Sequence, residues 1–116
     1  MTISLSGSVL SYQGSRAGDY QESAIVNGHP SWINANHAIW FIDDVDNWAV
    51  GNIDWLGTNF RSLSAITPGG SVCPFDIDST TWLFWNDGWN SAGAGEISIT
   101  CSQAKGKNNN INIYRG

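Results

Sequence analysis

Seven tryptophans fall within 116 residues, several times the usual frequency, and they carry most of this sequence's chemical information. The densest case is Trp85-Asn86-Asp87-Gly88-Trp89-Asn90. Asn-Asp-Gly suits a three-residue hairpin loop, in which a type I turn is followed by glycine in the left-handed region. Such a loop sets Trp85 and Trp89 opposite each other on one face. An indole pair beside Asn86, Asp87 and Asn90 suits sugar recognition. A pyranose packs its face of C–H groups on an aromatic ring, and its hydroxyls take planar donors and acceptors such as Asn and Asp. The competing reading is a cross-strand aromatic pair that only stabilises its hairpin, by up to about 1 kcal/mol. Trp32 and Trp55 also stand at strand ends or beside turns, and Trp55 joins the candidate ligand-binding set. Trp40 and Trp82 lie in hydrophobic runs and are expected in the core.

Catalytic chemistry is harder to assemble. The two histidines, His29 and His37, are the available imidazole bases. His29 precedes Pro30 in a turn and His37 abuts a strand, and no Gly-x-Ser-x-Gly elbow accompanies them. Glu22 and Glu96 are the two glutamates, while most aspartates sit in turns, where Asp accepts local backbone hydrogen bonds. Paired carboxylates in a deep cleft, as glycoside hydrolysis requires, are therefore not expected. No catalytic residue is assigned, and the chain reads as a non-enzyme.

One run invites a metal. Asp43-Asp44-Val45-Asp46-Asn47 gathers Asp43, Asp44 and Asp46 in a turn, and calcium takes six to eight hard oxygens from such loops. Asp76 or Asp78 could add a ligand. The EF-hand spacing is missing, with no glycine at loop position six and no glutamate at twelve. Solvated turn acids are the plainer reading, zinc is not expected, and calcium is the one cofactor left open.

The elements that must position these residues read as strands. Lys and Glu total four residues, and no window places apolar residues at helical spacing on good helix formers. Short β-branched and aromatic runs, separated by Gly, Asn, Asp, Pro and Ser, predict strands at 3–10, 20–26, 31–34, 38–43, 48–54, 59–64, 81–85, 89–91 and 96–101. A weaker one is expected at 111–114. A hairpin is expected around Asp43-Asp44-Val45-Asp46-Asn47, with a loop of three, four or five residues. Val26-Asn27-Gly28-His29-Pro30 supplies another turn. Ile39-Trp40-Phe41-Ile42 is apolar on both alternating faces and is expected to be a central strand covered on each side.

Composition bounds the class. The length fits one domain over 1–116, with a core about 3–101 and a polar tail at 102–116. Charged residues make up 13% and net charge is −5, with Arg16, Arg61, Lys105, Lys107 and Arg115 scattered. Nucleic acid needs a concentrated cationic surface, so it is not an expected partner. No stretch approaches the roughly 18 to 20 apolar residues of a membrane helix. Cys73 and Cys101 are too far apart for a CxxC motif. A bridge between them would staple a small Gly-rich domain by roughly 3 to 4 kcal/mol, and is expected. The first seven residues lack the basic and apolar regions of a secretory signal. The expectation is that a signal has been removed or that the segment belongs to a larger protein, with a cytosolic origin and reduced thiols as the lesser alternative.

The ordered set Tyr20, Val26-Asn27-Gly28-His29-Pro30, Ile39-Trp40-Phe41-Ile42, Trp48-Ala49-Val50-Gly51, Cys73-Pro74, Trp82, Trp89 and Ile97-Ser98-Ile99-Thr100-Cys101 resembles a repeated extracellular module. That module occurs in secreted multidomain proteins of marine invertebrates and algae, with the pattern Asn-Gly-x-Pro, an aromatic strand, Trp-x-[Ile/Val]-Gly, Cys-Pro, Trp, Cys. The resemblance covers about 3–101 and implies a secreted β module with one bridge. It brings no catalytic residues. Ser31-Trp32 departs from it, since a small or β-branched residue followed by Tyr is usual there.

The expected fold is all-β and antiparallel, a compact sandwich or strongly twisted two-layer sheet stapled by Cys73 and Cys101. The expected function is lectin-like binding of glycans outside the cell, with avidity from repetition or homo-oligomerisation. The alternative is a structural or protein-interaction module of an extracellular matrix, coat or adhesive protein, with its tryptophans in a protein interface.

Overall fold

Every position of Ala38-Ile39-Trp40-Phe41-Ile42 is buried, which demands protein on both faces of this strand. The computed structural model describes residues 1–67 and 73–100. Within them the chain is mostly strand: β1 (Thr2–Leu5), β2 (Gly18–Asp19), β3 (Gln21–Glu22), β4 (Trp32–Ile33), β5 (His37–Ile42), β6 (Asn47–Asn52), β7 (Leu63–Ile66), β8 (Trp82–Trp85), β9 (Trp89–Ser91) and β10 (Ile97–Thr100). They form two antiparallel sheets. One has seven strands in the order β3-β4-β5-β6-β7-β8-β9, with β5 and β6 inside it. The other has three, in the order β10-β1-β2.

The period of two along each strand sorts the side chains into two cores. Ile39, Phe41, Trp48, Val50, Leu63, Ala65, Trp82 and Phe84 on one face of the large sheet pack with Ile3, Ile97 and Ile99 of the small sheet. The two sheets therefore share one hydrophobic layer. On the opposite face Ala38, Trp40, Ile42 and Ala49 are covered by Val26, Ile33, Ile53, Trp55 and Leu56. The doubly apolar pattern of β5 was thus a correct guide to its place. Trp40 and Trp82 are buried as expected, joined by Trp48.

Three expectations need correction. The first predicted strand, 3–10, stops at Leu5, and α1 (Gly7–Gln13) follows. Nothing local announces α1, because a distant residue builds its start. Glu96 Oε2 accepts from the Ser8 N–H at 3.1 Å, Glu96 Oε1 accepts from the Gly93 N–H at 2.8 Å, and the Ser6 N–H donates to the Glu96 carbonyl at 3.0 Å. Gly7, at φ +58°, has no room for a Cβ beside that carboxylate. Val9 then buries its side chain, and Tyr12 stacks on Phe84 at 6.1 Å.

Second, several strands are shorter than predicted: 20–26 shrinks to Gln21–Glu22, and 59–64 begins at Leu63. Third, the bridge is not found. Cys73 is an exposed free thiol, and Cys101 lies outside the described residues. Closure comes instead from β1 pairing with β10 over Thr2↔Thr100 to Leu5↔Ile97, and from the shared core. The strand expected at 111–114 and the tail at 102–116 also lie outside the described residues.

Candidate functional site

Three separate segments bring aromatic side chains to one end of the large sheet. The first is the 3-10 turn Ile53–Trp55 that leaves β6. Its first turn is capped by Asn52, whose Oδ1 accepts from the Asp54 N–H at 2.9 Å. Trp55 lies back over Gly51, where an added Cβ would come within 2.9 Å of Trp55 Cε3. Gly51 is therefore the residue that lets the indole lie flat on the strand. Below it, buried Trp40 donates from Nε1 to the Thr58 carbonyl at 3.1 Å and pins the following loop. Thr58 Oγ1 donates to the Trp55 carbonyl at 2.6 Å and accepts from the Phe60 N–H at 3.2 Å. That loop is the second segment, and it presents Asn59, Phe60, Arg61 and Ser62.

The third segment is the β8–β9 hairpin. Trp85 pairs with Trp89 across a three-residue loop, as predicted, with ring centroids 5.4 Å apart and planes at 81°. The loop geometry differs from the expected type I turn. Asp87 itself takes φ +57° and Gly88 takes φ +137°, while the Asn86 N–H donates to the Gly88 carbonyl at 2.9 Å. The hairpin is tied down from both sides: the Trp85 N–H donates to the Ser62 carbonyl, and Gln13 Nε2 of α1 donates to the Trp85 carbonyl at 2.8 Å.

Together these segments line an open cavity of about 330 Å³ bounded by Trp55, Asn59, Phe60, Arg61, Ser62, Trp85 and Trp89. Phe60 is 70% exposed, Trp85 47% and Trp89 39%, fractions that leave ring surface for a ligand. Trp55 and Phe60 lie 6.3 Å apart. The Arg61 guanidinium stands 5.3 Å from the Trp89 ring and that of Arg16 stands 5.7 Å from the Trp55 ring, both within cation–π range.

The predicted site residues divide in two. Trp55, Trp85 and Trp89 meet at this cavity, although they are far apart in sequence. Asn86, Asp87 and Asn90 do not line it. Asn90 Nδ2 is spent on the Asn86 and Gly88 carbonyls at 3.2 and 3.1 Å, holding the loop. The polar lining is Asn59, Arg61 and Ser62 instead. Sequence reasoning missed them, together with Phe60, because 59–64 read as one strand. The signal that selected Trp85, an aromatic beside Asn and Gly in a turn, is present in Gly57-Thr58-Asn59-Phe60 as well.

Three of the residues considered for catalysis, His29, His37 and Glu96, are engaged elsewhere. Neutral His37 accepts at Nδ1 from Arg16 Nη1, 2.6 Å away. Burial, and then the Arg16 charge, hold the His37 imidazole below its ordinary range. His29 packs on Phe41 at 4.5 Å and Trp48 at 5.8 Å. Glu96 caps α1, and Asp78 caps the turn Ser79–Thr81 by accepting from Thr80 N–H and Oγ1 at 2.9 and 2.8 Å.

The loop of the β5–β6 hairpin holds four residues, Asp43 to Asp46, since Ile42 pairs with Asn47. Among the described residues no three His, Cys, Asp or Glu side chains gather into a group able to hold a metal ion, and this includes Asp43, Asp44 and Asp46. The loop also lies at the opposite end of the β5–β6 hairpin from Trp55. Among the described residues, no helix is long and apolar enough to cross a membrane. Comparison with protein-family models, curated proteins and solved structures finds no match.

Proposed function

We propose that this chain is a non-catalytic carbohydrate-binding module that holds a saccharide against Trp55, Phe60, Trp85 and Trp89. The observation that carries the reading is the convergence of four aromatic side chains, from three segments, on one open cavity with Asn59, Arg61 and Ser62 on its wall. Buried tryptophans are explained by the core, but half-exposed ones held by a scaffold of hydrogen bonds are not. Pyranose rings use such aromatic surface for their C–H faces, and their hydroxyls use the polar groups beside it. The imidazoles and the Glu96 carboxylate are committed to packing and capping, which supports binding without catalysis. The reading places the module outside the cell, as its resemblance to a repeated extracellular unit implies, with avidity supplied by repeated copies.

A second reading has one observation in its favour. Trp, Phe and Arg together form the composition of a protein-interface hot spot, so the same cluster suits a matrix or coat protein that docks another protein. A glycan array probed with the folded protein, with calcium and again with EDTA, separates the two. The first reading expects a coherent sugar class, bound equally in EDTA and lost in W85A/W89A. A blank array, with self-association that W85A/W89A abolishes, would establish the second.

A further inference from the structure

Only two arginines and no lysines occur in the described residues of this acidic chain, and both stand against the tryptophans of the cavity. Arg61 is held in place by neutral groups: Nε donates to Ser64 Oγ at 2.8 Å and Nη1 to the Asn59 carbonyl at 2.7 Å. Arg16 likewise meets His37 Nδ1 and Ser62 Oγ, at 2.6 and 2.8 Å, while its Nε is buried with no hydrogen-bond partner. Among the described residues neither guanidinium has a carboxylate partner, although the chain carries ten acidic residues. Partly buried charges are normally paired, and here each stands against a tryptophan of the cavity with no carboxylate partner among the described residues. Arg61 itself lines the cavity, and its Nη2 makes no hydrogen bond among the described residues.

Resting on the carbohydrate reading, we infer that the ligand is an acidic saccharide whose anionic substituent pairs with Arg61 while its C–H face stacks on the neighbouring rings. The fixed, planar fork of Arg61 matches an oxyanion, and Arg16 behind Trp55 adds a second positive charge. Uronate carboxylates and sulfate esters share this chemistry.

The test compares three probes by calorimetric titration: galacturonate oligomers, their methyl esters, and sulfated galactan oligomers. The methyl ester keeps the sugar and removes only the charge. A charge-assisted hydrogen bond contributes about 10- to 100-fold in affinity. The uronate or the sulfated oligomer is therefore expected to bind at least about 10-fold tighter than the methyl ester. That advantage is expected to fall as salt rises through the range where the Debye length drops below about 10 Å. Whichever charged arm binds identifies the oxyanion. R61Q is expected to erase the advantage, bringing the acid and the methyl ester to equal affinity, and R61K to recover part of it. Equal binding of ester and acid by the wild-type protein would overturn the inference while leaving the carbohydrate reading intact. Binding of none of the three, together with a blank array, would remove both. The wild-type salt dependence decides the matter even if R61Q folds poorly.

Discussion

Trp89 touches Trp85 edge-on at 5.4 Å and Arg61 at 5.3 Å, whereas Trp40 is enclosed on all sides. These surroundings predict opposite costs for the same change. Trp89→Ala is expected to lower stability by about 1 to 2 kcal/mol, the worth of one aromatic and one cation–π contact. Trp40→Ala is expected to cost about 3 to 5 kcal/mol through its cavity, and to loosen the loop pinned at Thr58. Urea titrations of the two variants check both figures. His37 allows a prediction with a sign. Its folded pKa lies below the ordinary 6.5, so the neutral form is favoured in the folded state. The associated stability is fully present above pH 6.5 and is lost as pH falls through the lower folded value. Between pH 7 and 4.5, His37→Gln is expected to lose less stability than the parent protein, and equal slopes would remove His37 as a cause.

Elements, rather than single side chains, decide whether the cluster forms. β6 must pass close under Trp55, and Gly51 makes that approach possible. Gly51→Ala is expected to push the indole off the strand, lowering stability by about 1 to 3 kcal/mol. Trp55 fluorescence should shift to the red and saccharide binding should weaken. Unchanged emission and affinity would show that the loop absorbs the methyl group. The same elements show what was legible. The β8–β9 hairpin could be read because Asn86-Asp87-Gly88 is a local signal, and β5 because burial on both faces leaves an unbroken apolar run. α1 could not be read, since Gly7-Ser8-Val9-Leu10-Ser11-Tyr12-Gln13 has weak helix formers and its cap is Glu96, far along the chain. Asn59, Phe60 and Arg61 were hidden by the same limitation. Their loop is pinned by the distant Trp40 indole, and the local cue in Gly57-Thr58-Asn59-Phe60 is masked where 59–64 reads as one strand.

For the whole molecule, the two sheets share one hydrophobic layer, and β1 at the start of the chain pairs with β10 near its end. Such a shared core predicts a single cooperative unfolding transition, with near- and far-ultraviolet circular dichroism changing together. Separate midpoints would mean that the small sheet opens first. The charge distribution is likewise a property of the whole: an acidic protein places the arginines of its described residues beside its exposed aromatic end. This end is proposed to receive a saccharide. The direct measurement is an NMR titration that follows the indole N–H signals of the seven tryptophans while the array-selected glycan is added. Progressive shifts are expected for Trp55, Trp85 and Trp89, with Trp40, Trp48 and Trp82 unmoved. Binding that leaves those first three signals in place, or moves the buried ones instead, would contradict the proposal.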